Sequence, residues 1–343
     1  MAYGASIKMD RRAFLTSTAG VIATLIFREA QAKKAGLSRF VWDPTYSFNW
    51  THLPPYSWLT SGNVVPVDKF QKLHDSFPLS QQFRLPIKLT TEDITRVHNG
   101  KYVEHLDQLA KTGIGILNGE NPVTPQINAF VQAACAGTYT AGLISLQEGM
   151  SMNLSGGFHH AFPNHEEGFC YLNDVAIAIK RLQSEKVIRK AMIIDCDVHH
   201  GNGNAYIFLG EENVFIFDIY QEDNHYPSKS NRFEPDFKAN LKASDGITNT
   251  IYQEVLAQNL DREIARFKPD IVFYLAGADP YKEDQLGNFQ LTIDGLKKRD
   301  EYIINKLRHH RIPTTVVLAG GYAKNIEDVV AIHYNTAVMV HQI

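Results

Sequence analysis

Four short stretches of the chain carry residues able to do chemistry together. Asp195-Cys196-Asp197-Val198-His199-His200 sets carboxylates and an imidazole at alternate positions, and Ala278-Asp279-Pro280 adds a further carboxylate. Gly156-Gly157-Phe158-His159-His160 supplies a histidine pair, and Gly320-Gly321-Tyr322 a phenol held among glycines. Asp197, His199 and Asp279 make a three-ligand set that leaves coordination positions open, the catalytic rather than the structural pattern for zinc. Asp195, two residues before Asp197, suits a carboxylate that orients a nearby imidazole. His159 and His160 stand outside the metal set as candidates for general base and general acid. Tyr322 offers a hydroxyl to the oxygen that becomes anionic when a carbonyl is attacked. Together these groups suit metal-assisted amide hydrolysis. Singly each is weak: a histidine pair is commonly incidental, Asp-x-Asp-x-His can cap a strand or bind a structural cation, and Gly-Gly-Tyr can be a tight turn. Their strength lies in placement.

That placement follows from the elements before them. Ala191–Ile194, Val214–Ile219, Ile271–Ala276 and Thr315–Ala319 are short, near-continuous apolar runs, as in strands buried on both faces. Longer helical stretches lie at Asn173–Leu182, Thr248–Phe267, Ile293–Leu307 and Ile326–Val340. Alternation of this kind predicts an α/β fold with a mainly parallel sheet between helix layers, over residues 36–343 as one domain. In such sheets ligands collect beyond the carboxyl ends of the strands. Each polar cluster follows a strand, Gly156–His160 coming after the run Met150–Leu154.

Composition narrows the function. Of 343 residues, 44% are hydrophobic and 21% charged, which excludes a disordered tail, a collagen-like fibre and a polytopic membrane protein. A net charge of −3 gives no basic field for nucleic acid. Cys135, Cys170 and Cys196 are far apart with no C-x-x-C pair, so a metal must be held by histidine and carboxylate. Cys170 and Cys196 read as small packing residues. The N-terminus differs from the rest. Arg11-Arg12 and Phe14-Leu15 precede an apolar run from Ser17 to Phe27, which closes at Ala30-Gln31-Ala32. The run is too short to span a bilayer but suits an export signal. Residues 1–32 resemble a twin-arginine signal peptide, so the mature protein is expected outside the cytoplasm, without a stable membrane anchor.

Taken in order, Gly156–His160, Gly168-Phe169-Cys170-Tyr171-Leu172-Asn173-Asp174, Asp195–Gly203, Ala278-Asp279 and Gly320–Tyr322 resemble the histone deacetylase superfamily. The likeness covers roughly residues 38–342. Asp218-Ile219-Tyr220 through Tyr226-Pro227, Asp284-x-Leu286-Gly287 and Lys298-Arg299-Asp300 look most like the class IV, histone deacetylase 11-like branch and its bacterial relatives. The resemblance implies the arginase/deacetylase fold, with about eight strands. It implies zinc, or ferrous iron, on Asp197, His199 and Asp279, and catalysis by His159, His160 and Tyr322. Asp195 would hydrogen-bond His159, and Asn202 would stand behind His160. Gly168 and Phe169 would line the acyl-amine tunnel beside Gly320 and Gly321, with Tyr226 at its rim. A structural potassium or sodium ion would sit near Asp195, Asp197, His199 and Asp218. The implied substrate is an acyl-lysine peptide, an acylated polyamine or another small amide.

Departures from the family pattern are informative. Asn202 stands where class I members carry Asp, so the partner of His160 is neutral. The segment Asn63–Phe70 lacks the histidine that often begins it in bacterial relatives, which puts only local rim contacts in doubt. An exported enzyme would meet no histones. Two rival readings compete with the hydrolase. A ureohydrolase-like enzyme needs a two-metal carboxylate cluster, yet no Asp or His follows Asp279 within two residues. A non-catalytic acyl-amine-binding module normally lacks a ligand or the tyrosine, and here both are kept.

Overall fold

The computed structural model describes residues 38–47, 68–78, 80–113, 115–117, 121–222, 226–233 and 238–341. The signal-like segment 1–32 lies outside them. Seven strands form one sheet in the order β1-β4-β9-β8-β5-β6-β7, every pair parallel. They are β1 (Phe40–Val41), β4 (Met150–Asn153), β5 (Ala191–Asp195), β6 (Val214–Gln221), β7 (Lys238–Ala243), β8 (Ile271–Leu275) and β9 (Thr314–Val317). β2 (Gly115–Leu117) and β3 (Asn121–Val123) pair separately and antiparallel. The expected parallel α/β architecture is present, with seven strands in the sheet among the described residues against about eight expected.

The apolar runs form inner strands because both of their faces are covered. Along β5, Met192 and Ile194 enter one core while Ala191 and Ile193 enter the other, the two-residue period of a strand. The first core is filled by α7 (Asn249–Phe267), α8 (Ile293–His309) and α9 (Ile326–His341), through side chains such as Tyr252, Leu256, Ile303 and Ile332. The second is filled by α5 (Asp174–Ser184), whose Val175, Ile179 and Leu182 pack on Ile193, Ile216 and Phe273. Truncating a fully buried side chain such as Phe273 to alanine typically costs about 3–5 kcal/mol.

The remaining helices are α1 (Lys69–Asp75), α2 (Thr91–Thr95), α3 (Gly100–Thr112), α4 (Pro125–Glu148) and α6 (Asn202–Ile207). Among the described residues α4 alone is long and apolar enough to cross a membrane, and 78% of its apolar window is buried inside the protein. It is a core helix, entered at Pro125 behind a Thr124 cap.

Four strands adjacent in the sheet, β4, β9, β8 and β5, each lead directly into one of the four polar clusters. The chain passes from β5 outward through β6 and β7, then returns with β8 on the opposite side of β5. That reversal of direction opens a crevice at the strands' carboxyl ends.

Candidate metal centre and active site

The loop after β5 and the loop after β8 bring Asp197, His199 and Asp279 together. One ligating atom from each lies within 4.8 Å of the others, and all three residues are buried. His199 Nδ1 is 3.0 Å from Asp197 Oδ1 and 3.2 Å from Asp279 Oδ2. Backbone groups tether the carboxylates: Val198 N–H donates to Asp279 Oδ1 at 3.0 Å, and Gly320 N–H to Asp197 Oδ2 at 2.7 Å. Asp279 Oδ2 makes no hydrogen bond although it is buried. A side chain at Gly320 would collide with both carboxylates, so this glycine keeps the cradle open. Two carboxylate oxygens and one imidazole nitrogen fit a divalent cation such as zinc with positions to spare.

Buried titratable groups shift one another strongly here. Burial, together with the neighbouring Asp197 carboxylate, pushes Asp279 up to about 8. Burial would depress His199, but Asp197 and Asp279 outweigh it and raise the imidazole to about 10. Asp197 stays well below the usual carboxylate range. Its burial is overridden by His159 and His199.

His159 and His160 form a relay beside this cluster. Asp195, the last residue of β5, accepts from His159 Nδ1 at 2.9 Å. Asn202, the first residue of α6, accepts from His160 Nδ1 at 2.6 Å. The two Nε2 atoms face each other at 3.0 Å. Burial opposes charge on His159, yet the Asp195 and Asp197 carboxylates raise it to about 9. Burial and the neighbouring His159 and His199 hold His160 well below an ordinary histidine. Asp218, opposite Asp195 on β6, takes His200 Nδ1 at 2.8 Å and Gly201 N–H at 3.1 Å on Oδ2, while its buried Oδ1 has no hydrogen-bond partner.

Two cavities meet at His160. The inner one, about 730 Å³ including its opening, is lined by Phe130, Phe158, Tyr171 and Lys69 and reaches His159, His160 and Asp197. The outer one, about 550 Å³ including its opening, is bounded by His199, Phe169, Tyr226, Leu286 and Tyr322. Gly168, Phe169, His160 and Tyr322 belong to both walls. Gly168 (φ 53°) and Phe169 (φ 65°) are left-handed, and a Cβ on Gly168 would strike His160 and the Tyr226 hydroxyl. Tyr226 packs edge-on to His160 with centroids 4.9 Å apart. Gly321 backs the turn, its α-carbon side facing Ala278 and Val329. Desolvation, with Asp197 and Asp279 nearby, raises the Tyr322 phenol far above its ordinary value, so it stays a hydrogen-bond donor.

Several residues that matter were missed from sequence. Asp174 accepts from the Gly157 and Phe158 N–H groups and the Thr138 hydroxyl, which fixes the turn carrying His159. Asp284 accepts from the backbone N–H of Tyr322 at 2.6 Å and fixes the other wall. Buried Arg299 donates to the carbonyls of Cys196 and Gly277, which precede Asp197 and Asp279. Asp174, Asp284 and Arg299 lie within quoted motifs, so their presence was visible and only their roles were not. Lys69 corrects an expectation: of the segment 63–70, residues 63–67 lie outside the described residues, and Lys69 and Phe70 line the inner cavity and not only its rim. The Lys69 ammonium is buried in the inner wall and donates to Ala319 O at 3.0 Å. Desolvation, partly offset by Asp279 and Asp197, lowers it to about 8.

Residues 67–337 match the family model of the histone deacetylase domain. An uncharacterized protein of Picosynechococcus sp. is 38% identical over 278 residues, which is 78% of this chain and 89% of that protein. Histone deacetylase 2 of Arabidopsis thaliana is 29% identical over 256 residues, and the alignment spans 72% of this chain but only 65% of the plant protein. Among solved structures, the HD domain of HDA15 superposes with a TM-score of 0.76 at 20% identity, covering 89% of this chain and 91% of that domain. An acetylpolyamine aminohydrolase from Burkholderia pseudomallei gives 0.73 at 22%, covering 88% and 98%. These two likenesses establish the fold, and the domain match carries the assignment: the chain belongs to the histone deacetylase family.

Proposed function

We propose that this protein is a zinc-dependent deacylase that removes an acetyl or longer acyl group from an amine by hydrolysis. The observation that carries the reading is the convergence of Asp197, His199 and Asp279 beside a histidine pair at the junction of two cavities. Family membership supports a deacetylase, and the likeness of fold to an acetylpolyamine aminohydrolase keeps small acylated amines in view beside acyl-lysine peptides. Zinc, or ferrous iron in its place, held by those three residues would supply Lewis acidity toward the amide carbonyl and lower the pKa of water.

The chain's own groups do the rest. His160, neutral, takes a proton from the attacking water on Nε2 and later returns one to the leaving amine. His159 keeps its proton because Asp195 holds it, and it places positive charge beside the developing oxyanion. The Tyr322 hydroxyl donates to the substrate carbonyl oxygen as that oxygen gains charge. Phe169 and Tyr226 flank the acyl-amine stem in the outer cavity, with Gly168, Gly320 and Gly321 leaving room for it. A potassium or sodium ion beside Asp195, Asp197, His199 and Asp218 would answer the bare Asp218 Oδ1.

The decisive experiment is a turnover panel on the purified, zinc-loaded protein, with acetyl-lysine peptides, longer acyl-lysine peptides and acetylpolyamines. Release of free carboxylate from at least one class is expected. Tight binding of all three without turnover would replace the enzyme with a binding module, and activity requiring two metal ions per chain would favour the ureohydrolase alternative.

A further inference from the structure

His160 needs one tautomer to act as a base through Nε2: the proton on Nδ1 and the lone pair on Nε2. A carboxylate behind Nδ1 would enforce this whatever its rotation, because both of its oxygens accept. Asn202 is an amide, and an amide has one accepting and one donating end that exchange places on a half-turn of the side chain. Its orientation must therefore be set by what each end meets: the Gly203 N–H at the oxygen and a further group at the nitrogen.

Glu167 is positioned to set it. Asn202 Nδ2 donates to Glu167 Oε1 at 3.3 Å, and Glu167 Oε2 accepts from Asn231 Nδ2 at 2.6 Å. His165 Nε2 lies 3.8 Å from the same carboxylate. An ionised carboxylate only accepts, so the amide end facing it must be the NH₂. The Asn202 carbonyl then faces His160 Nδ1 at 2.6 Å, where it also accepts the Gly203 N–H at 3.1 Å. Asn202 is fully buried, so water cannot take over the role of either partner.

We propose that Glu167 is a positioning residue which, through the amide of Asn202, fixes His160 with its proton on Nδ1 and its Nε2 unprotonated. The inference rests on the hydrolase reading above for its catalytic consequence, though not for its geometry. The site uses a relay of carboxylate, amide and imidazole in place of the directly paired carboxylate. Glu167 also ties the segment bearing Tyr226 and Asn231 to the relay, so one side chain serves the base and the cavity wall.

The test compares Glu167→Leu, Glu167→Gln and the double variant Glu167→Leu/Asn202→Asp in the zinc-loaded full chain. Glu167→Leu should lower kcat about 10-fold, at the low end for a residue acting through another, with KM, zinc content and Tm little changed. Glu167→Gln should keep more activity than Glu167→Leu, because its amide oxygen can still accept from Asn202 when the Asn231 amide turns to accept from its NH₂. The double variant should recover activity, because a carboxylate at 202 needs no orientation. Wild-type turnover in Glu167→Leu, or a loss that the double variant does not recover, overturns the proposal. Glu167→Ala carries the same comparison if leucine prevents folding. Imidazole ¹⁵N shifts of the histidine-labelled protein read the tautomer without any substrate. His160 should hold its proton on Nδ1 in the wild type and lose that preference in Glu167→Leu. Inactivity toward every acyl-amine alongside that tautomer change rejects the hydrolase reading alone. An unchanged tautomer rejects the relay alone.

Discussion

His159 and His160 meet Nε2 to Nε2 at 3.0 Å, each with its other ring nitrogen already committed, to Asp195 and to Asn202. Two bare lone pairs would repel at that distance, so one proton lies between the rings. The surroundings decide its owner: carboxylates raise His159 to about 9, while burial and neighbouring imidazoles depress His160. One protonated and one neutral imidazole are thus held side by side, as acid–base hydrolysis requires.

Substituting the non-ligand members should therefore remove chemistry and spare the metal. His160→Ala is expected to cost about 10²–10⁴-fold in kcat, the range for a general acid–base group. Tyr322→Phe is expected to cost about 10²–10³-fold, the range for one oxyanion donor. Zinc content, measured by elemental analysis, should stay at the wild-type level in both. Near wild-type turnover in Tyr322→Phe would remove the phenol from the mechanism.

The ligand residues should behave in the opposite way. Asp197→Ala or His199→Ala takes one donor from a set of three, so zinc affinity should fall about 10²-fold or more and turnover with it. Chelation of the wild type should abolish activity, and added zinc or ferrous iron should restore it. Undiminished turnover in a metal-stripped sample would end the metal-dependent reading. Competition with a chromophoric chelator gives the affinity loss independently of turnover.

The legible part of this molecule was the part written as local pattern. The strands before Asp197, Asp279 and Tyr322 showed as short apolar runs because they are buried on both faces. Their polar sequels stood out because nothing apolar follows. The sheet order was not legible, since it depends on β8 and β9 inserting between β4 and β5 from more than 70 residues away. The short edge strands β1 and β7 were also missed. β1 has two residues, and β7 is half-exposed with lysines at positions 238 and 242, so neither shows an apolar run. Residues that act on backbone were equally silent. Asp174, Asp284 and Arg299 work by holding N–H or carbonyl groups of distant turns, and no spacing rule encodes such contacts.

His98 is an example of an ordinary-looking histidine with a measurable consequence. Its Nδ1–H donates to Phe162 O at 3.0 Å, and its Nε2 accepts from Asn173 N–H at 2.9 Å, at the cap of α5. Protonating Nε2 would set two donors against each other. Burial, only partly offset by the Phe162 and Pro163 carbonyls, lowers His98 to about 4. The unfolded chain therefore binds this proton more readily, near pH 6.5, than the folded one. The stability it contributes is intact above about pH 6.5 and is lost as pH falls toward 4, by up to about 3 kcal/mol. Urea denaturation from pH 7 to 4.5 should show a steeper loss in the wild type than in His98→Gln. Parallel curves would show that His98 does not drive the acid sensitivity.

We propose that residues 1–32 direct export and are removed, and this segment makes its own prediction. Arg11-Arg12, Phe14-Leu15, the run from Ser17 to Phe27 and Ala30-Gln31-Ala32 occur in the order that a twin-arginine signal needs. A bilayer span would need about 20 apolar residues, and Arg28-Glu29 interrupts this run well before that. Fractionation of the native host with N-terminal sequencing should find a mature protein beginning at Lys33 outside the cytoplasm. The double substitution Arg11→Lys/Arg12→Lys keeps the charge but not the guanidinium pair, so only a receptor that reads arginine should respond. Export should stop in that variant and the full-length precursor should accumulate inside. A full-length cytoplasmic protein, unaffected by the double substitution, would make the segment an ordinary extension and bring cytoplasmic acyl-lysine substrates back to the front.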